Sequence, residues 1–258
     1  MNIEEYKQKF LDKDCVILTC GPSLKEYSKE KISDFIKDKI VICVKESIVE
    51  YKDHAHFFFW NNTRPRTFNI NSNTIKVYQT NDISNNNYRN HPADIILPED
   101  IPFHSKNQLL KKKNFKDYEL ENNIKRPWGP GILYESVFYF CKYIGIKNIY
   151  TIGWDLIDKN NYTTITHYFD NDSSKDYEKT VRFDSNNDRL NKYFYDEMIM
   201  VNKNIVDMYD YFKQEGMNIY VVGSQSSVNE HIPRINLLNT QTGDSRARLP
   251  RLKMIWTI

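Results

Sequence analysis

The stretch Cys15-Val-Ile-Leu-Thr-Cys20-Gly-Pro-Ser-Leu-Lys-Glu26 decides the fold. Its first six residues form a short continuous apolar run, and Gly21-Pro22 stops it abruptly, which is the pattern of a buried strand ending in a tight turn. Ser23 stands three residues before Glu26, the spacing of a capping box, so the pattern predicts that Ser23 caps a helix running to about residue 37. Strand, glycine turn and helix in that order open a nucleotide-binding βα unit.

Outward from this block, further apolar runs recur at residues 40–44, 56–60, 74–80 and 93–97, each bounded by polar or turn-forming residues; these read as strands. Residues 81–125 are rich in Asn, Lys and Pro and read mostly as loop, interrupted by the strand at 93 and one short helix. After Arg126-Pro-Trp-Gly-Pro-Gly131, the residues Ile132, Leu133, Val137, Phe140, Cys141 and Ile144 mark one face of a helix that ends at Gly145. A strand over residues 148–152 ends in Gly153-Trp-Asp155. Phe194, Met198, Val201, Ile205, Met208 and Phe212 then trace a long amphipathic helix closed by Gly216. A last strand over residues 218–222 leads into Gly223-Ser-Gln-Ser-Ser227. This alternation predicts an α/β class: one Rossmann-like domain over residues 1–240, with a mostly parallel sheet and helices on both faces. Residues 241–258, with Arg246, Arg248, Arg251 and Lys253, read as a basic C-terminal tail.

Bulk properties narrow the function classes. The chain has 258 residues, enough for one doubly wound domain. Its 36 basic and 34 acidic side chains balance too closely for nucleic acid binding by overall charge. Any anion site is therefore local. Cys15, Cys20, Cys43 and Cys141 lack zinc-ligand spacing and suit a reducing cytoplasm. No run approaches the roughly 18 apolar residues that span a bilayer, so membrane contact would be peripheral.

In an open parallel sheet the ligand lies beyond the carboxyl ends of the strands, where loops converge. The turns carrying Gly21, Pro22 and Ser23, Asn61 and Asn62, Gly153 and Asp155, and Ser224 and Ser226 all fall at that edge, joined by Arg126 to Gly131 at a helix entrance. Neither a GxGxxG fingerprint nor a GxxxxGK[ST] phosphate loop is present, which removes NAD enzymes and P-loop kinases. Arg126 can clamp a phosphate or carboxylate with paired hydrogen bonds, and it equally suits a solvated surface cation. Asp155 can hold a ribose hydroxyl or cap a turn. His167, in the Tyr-rich stretch Thr166-His-Tyr-Phe-Asp170, has the side chain best matched to proton transfer near neutral pH, or it is an ordinary surface histidine. Asp196 and Glu197 can supply a base, although acidic residues are also expected near a helix start.

With these blocks placed, the sequence resembles the bacterial sialyltransferases of glycosyltransferase family 42, which open with a strand and Asn-Gly-Pro-Ser-Leu. Here the text is Cys20-Gly-Pro-Ser-Leu24. Arg126 to Gly131, Gly153-Trp-Asp155, His167-Tyr-Phe-Asp170 and Gly223 to Ser226 follow in the family's order, and Asn61 matches its second strand-end Asn. The resemblance implies a metal-independent, inverting transfer of sialic acid, Kdo or a related ulosonic acid from a CMP-activated donor, with no cofactor. It places His167, with Tyr162 close by, where the family has a phosphate-facing Tyr. The family's Asn before Gly-Pro-Ser is Cys20 here, and its catalytic-base His has no counterpart, so Asp196 or Glu197 would take that role. The implied acceptor is a glycan or lipid-linked glycan of surface polysaccharide or lipopolysaccharide biosynthesis. The same reading implies a cytoplasmic enzyme and admits peripheral contact with the inner membrane face and a homo-oligomer. A second resemblance, carried by Gly-Pro-Ser-Leu and Gly153-Trp-Asp-Leu156, is to the hydroxymethylpterin pyrophosphokinase-like family and implies ATP and magnesium. A third reading is a nucleotide-binding module without activity, consistent with the absent base.

Overall fold

The computed structural model of the chain describes residues 2–61, 68–79, 92–97, 99–100, 114–122, 126–127, 132–156 and 188–237, with the side chains of 61, 99–100, 126–127, 132–135, 188–198 and 200 outside that description. Its strands are β1 (Asp14–Leu18), β2 (Ile40–Val44), β3 (Phe57–Asn61), β4 (Ile75–Gln79), β5 (Ile95–Leu97), β6 (Glu99–Asp100), β7 (Arg126–Pro127), β8 (Asn148–Ile152), β9 (Asn218–Val222) and β10 (Arg234–Ile235). The α-helices are α1 (Lys29–Ile36), α2 (Ser47–Tyr51), α3 (Ile132–Ile144) and α4 (Asp188–Gln214).

Eight strands form one sheet in the order β10-β9-β8-β1-β2-β3-β4-β5, and every pairing is parallel. β6 and β7 make a separate parallel pair. The chain starts in the middle of the large sheet, builds outward through β5, and returns on the other side of β1 to lay down β8, β9 and β10. The order therefore reverses between β1 and β8, the position where an open sheet leaves a crevice for a ligand.

Side chains alternate faces along each strand, and two buried clusters follow that alternation. Cys15 and Ile17 of β1, Phe57 and Phe59 of β3 and Val77 of β4 pack with Val137, Phe140 and Ile144 of α3 and Val201, Ile205 and Phe212 of α4. Val16, Leu18, Val41, Cys43, Phe58 and Trp60 point the other way, onto Ile32 and Ile36 of α1 and Ile48 and Tyr51 of α2. Helices cover both faces. Phe140 is the pivot of the first cluster, its ring centroid 5.1 Å from both Phe57 and Phe59 in edge-to-face geometry.

Ser23 does not cap a helix. Residues Pro22–Glu26 form a 3-10 helix whose cap is Gly21, while Ser28 caps α1 and accepts a hydrogen bond from the Lys31 N–H at 3.3 Å. The Ser23 side chain is buried instead, at 3% exposure, and Tyr27 interrupts the two helical pieces by turning extended and donating its hydroxyl to Asn236 Oδ1 at 3.0 Å. Burial of two successive anchors outweighed a local capping preference. The sequence patterns indicate neither α2 nor β10, which have five and two residues, too short for a periodic signal. The tail at 241–258 lies outside the described residues.

Truncating Phe140 to alanine should cost about 3–5 kcal/mol, because it empties a fully buried ring site between α3 and β3. Urea unfolding of the Phe140→Ala variant measures the loss, and a shift under 1 kcal/mol would contradict this account of the core.

Candidate functional site at the carboxyl edge

The turns after β1 and β8 are locked together at the switch point. Gly21 donates its N–H to the Gly153 carbonyl at 2.8 Å, and Thr19 donates to the Ile152 carbonyl through its N–H at 2.9 Å and its hydroxyl at 3.2 Å. The backbones approach so closely that a Cβ on Gly21 would stand 2.3 Å from both Asp155 Oδ2 and the Gly153 oxygen. Gly153, with φ +76°, would likewise drive a Cβ to 2.8 Å from the Thr19 oxygen. Only glycine fits at either position.

Asp155 fastens this crossing. Its Oδ2 accepts the Ser23 N–H at 2.8 Å. Burial pushes the carboxyl above the ordinary aspartate range, opposed chiefly by the hydrogen bond from the Ser23 N–H. Two polar atoms are left over: Asp155 Oδ1 and Ser23 Oγ are buried and make no hydrogen bond among the described residues. Unpaired buried polar atoms cost free energy, about 1–3 kcal/mol each, unless a ligand or solvent completes them.

The β9 turn joins from the other side. Ser226 donates its hydroxyl to the Trp154 carbonyl at 2.5 Å, and Ser227 donates to the Leu156 carbonyl. Arg234 holds the same loop by donating to the Ser226 and Val228 carbonyls at 3.2 and 2.5 Å. Ser224 faces elsewhere. Its N–H and hydroxyl, with the Gln225 N–H, donate to the Glu26 carboxylate at 2.8–2.9 Å. Glu26 thus spans from the β1 turn over β8 to the β9 turn, and the donors of Ser224 are spent on it.

On the opposite side of β1, Cys20 lies against the Val44 carbonyl at 3.3 Å and Glu46 Oε2 at 3.4 Å. Ser47 donates to the Leu18 carbonyl at 2.8 Å and accepts the Val44 N–H at 2.9 Å, tying the ends of β1 and β2. Sequence reading missed Glu46 and Ser47. Glu46 is 7% exposed, and a buried carboxylate has no local sequence signature, since only the tertiary neighbours bury it.

Of the residues singled out from sequence, Gly21, Pro22, Ser23, Gly153, Asp155 and Ser226 gather where the β1, β8 and β9 turns cross. Asn61 ends β3 at the same edge, and Arg126 lies in β7. Glu197 lies in α4, its side chain outside the described residues. Asn62, Gly131, Tyr162 and His167 lie outside the described residues. Among the described residues, no group of three or more His, Cys, Asp or Glu side chains is arranged to hold a metal ion, and no helix is long and apolar enough to cross a membrane.

No protein-family model and no curated protein matches the chain. Solved structures with a related backbone include the sialyltransferase CstII from Campylobacter jejuni in complex with cytidine-5'-monophosphate, at 17% identity and a TM-score of 0.44. The same enzyme in complex with CMP-3FNeuAc matches at 16% and 0.43. Both likenesses cover 89% of this chain and 88% of the other. The MAf glycosyltransferase from Magnetospirillum magneticum AMB-1 matches at 10% identity and a TM-score of 0.49, over 93% of this chain and 38% of the other.

The raised Asp155 pKa has a defined sign. Because the folded state holds this proton more tightly than the unfolded state, the group favours folding below the ordinary aspartate pKa of 3.8, and that contribution fades as pH rises through the raised value. Urea midpoints of the wild type should therefore fall relative to Asp155→Asn as pH is raised from below 4 to neutrality. Parallel profiles would refute the burial of this carboxyl. Gly21→Ala should destabilise the chain at every pH, since its clash is with backbone and a pinned carboxylate rather than a flexible side-chain end.

Proposed function

We propose that this chain is a glycosyltransferase that moves an acidic sugar, of the sialic acid or Kdo type, from a CMP-activated donor to a glycan or lipid-linked glycan. The observation that supports it best is the locked crossing of the β1 and β8 turns at the topological switch point, which leaves Ser23 Oγ and Asp155 Oδ1 unpaired. In this reading the crossing holds the nucleotide: Gly21 and Gly153 allow it close to the backbone, Pro22 shapes the turn, Ser23 donates to the phosphate, and Asp155 accepts from a ribose hydroxyl. Asn61, Asn62, Gly131 and Ser226 complete the pocket from neighbouring turns. Ser224 acts through Glu26, holding the β9 turn in place.

The chemistry asked of the protein is displacement at the anomeric carbon. An acceptor oxygen forms a bond to that carbon from the face opposite the nucleotide, and the bond from the carbon to the phosphate oxygen breaks. The acceptor proton passes to a carboxylate, assigned to Glu197 with Asp196 as its neighbour. The leaving phosphate gains negative charge, which His167 meets by donating a proton, helped by the Tyr162 hydroxyl and the Arg126 guanidinium. No metal or cofactor takes part in this scheme. The family resemblance, rather than this chemistry, points to the cytoplasmic side of surface polysaccharide or lipopolysaccharide assembly, with peripheral contact at the inner membrane face.

Thermal-shift titration with CMP, CDP, ATP and GTP, each with and without magnesium, tests this reading. CMP should raise Tm in the absence of magnesium; magnesium-dependent stabilisation by ATP alone would instead favour a pyrophosphokinase-like enzyme. CMP binding without donor hydrolysis or transfer would mark an inactive module. His167→Ala should lower kcat by about 100-fold or more while changing CMP affinity little, as loss of a general acid does. Equal losses in both would remove the acid role.

A further inference from the structure

Two more buried polar side chains lie on the α3 side of the same edge, and the nucleotide reading leaves both without a task. Gln79 is the last residue of β4, is 1% exposed, and neither atom of its carboxamide makes a hydrogen bond among the described residues. Ser136 of α3 is also 1% exposed, with its hydroxyl equally unpartnered.

Phe140 of α3 packs on Phe59 of β3 with ring centroids 5.1 Å apart. Ser136 lies four residues before Phe140 on the same helical stripe, about 6 Å nearer the helix N-terminus. Asn61 and Gln79, mutually in register, lie two residues beyond Phe59 and Val77, about 6.6 Å nearer the carboxyl edge. Since α3 descends from the carboxyl edge to the start of β8, both steps run the same way. By these steps Gln79 and Ser136 both lie one level nearer the carboxyl edge than Phe59 and Phe140.

A core that only had to fill space at this level would use apolar residues, because an unpaired carboxamide and hydroxyl weaken it. We propose that Gln79 and Ser136 line a second polar subsite at the same carboxyl edge as the nucleotide crossing, three strands from β1, and that it takes the uncharged hydroxyl and acyl-amide groups of the transferred sugar. A carboxamide offers both a donor and an acceptor, and a hydroxyl either, so together they match neutral sugar substituents while supplying no counter-charge for an anion. The subsite rests on the donor reading above and sets sugar specificity rather than nucleotide affinity. Sites built on hydrogen bonds to buried polar groups reject ligands that leave those groups unpaired.

The test uses Gln79→Met and Ser136→Ala in the full chain. Ligand-free Tm is measured first, followed by calorimetric titration with CMP and with the non-transferable donor analogue CMP-3FNeuAc. Each variant should match or exceed the wild-type Tm, bind CMP within about twofold of wild type, and bind the analogue at least about tenfold more weakly, as expected for a lost buried hydrogen bond. Unchanged affinity for the analogue, or equal loss for CMP and the analogue, overturns the subsite while leaving the nucleotide site standing. Ser136→Ala removes a single oxygen and decides the matter should Gln79→Met fail to fold. A wild-type chain that binds neither ligand ends the donor reading and the subsite with it.

Discussion

The structure depends on one close crossing of backbone, where Gly21 meets Gly153 and Asp155 closes over Ser23. Neither turn can move outward without breaking the Gly21 to Gly153 hydrogen bond, and neither can carry a side chain at its glycine. The crossing lies where the parallel sheet reverses its order, so it joins the two halves of the domain and forms the floor of the crevice between them. Rigidity is useful there. In the proposed nucleotide site, a floor that is already ordered spends little conformational entropy when a ligand arrives.

Around that floor the turns are held by polar contacts as well as by the buried side chains of Leu24, Trp154, Leu156 and Val228. Glu26 reaches from the β1 turn to the β9 turn, Ser226 and Ser227 fasten the β9 turn to the β8 turn, and Arg234 braces the loop from beneath. Asn202 of α4 accepts the Asn229 N–H at 2.7 Å and donates to the Ser227 carbonyl at 2.8 Å, connecting the long helix to the same assembly. Among the described residues, buried polar atoms of Ser23, Asp155, Gln79 and Ser136 at this edge make no hydrogen bond.

Much of this was legible in the residue order. The β8 and β9 strands have the bounds that the apolar runs mark, and α3 closes where Gly145 ends the periodicity. The turns at Gly21, Gly153 and Ser226 were legible as one edge because an all-parallel sheet places every strand end on the same side. Ser23 carries the spacing of a cap, yet Ser28 caps the helix, since capping spacing is a local signal and burial of Ser23 is not. Ser224 lies on the same rim, and there Glu26, nearly 200 residues distant in sequence, takes its donors.

The sequence by itself determined the class of the fold and the rim on which the polar turns lie, because strand alternation and glycine turns are written in short-range periodicity. Only the tertiary structure decided which of those turns touch, which carboxylates are buried and which polar atoms remain unpaired. These properties belong to pairs of residues far apart in the chain, such as Ser23 with Asp155, Glu26 with Ser224 and Cys20 with Glu46. Their energies arise from desolvation and geometry that exist once the sheet has closed the distance between them.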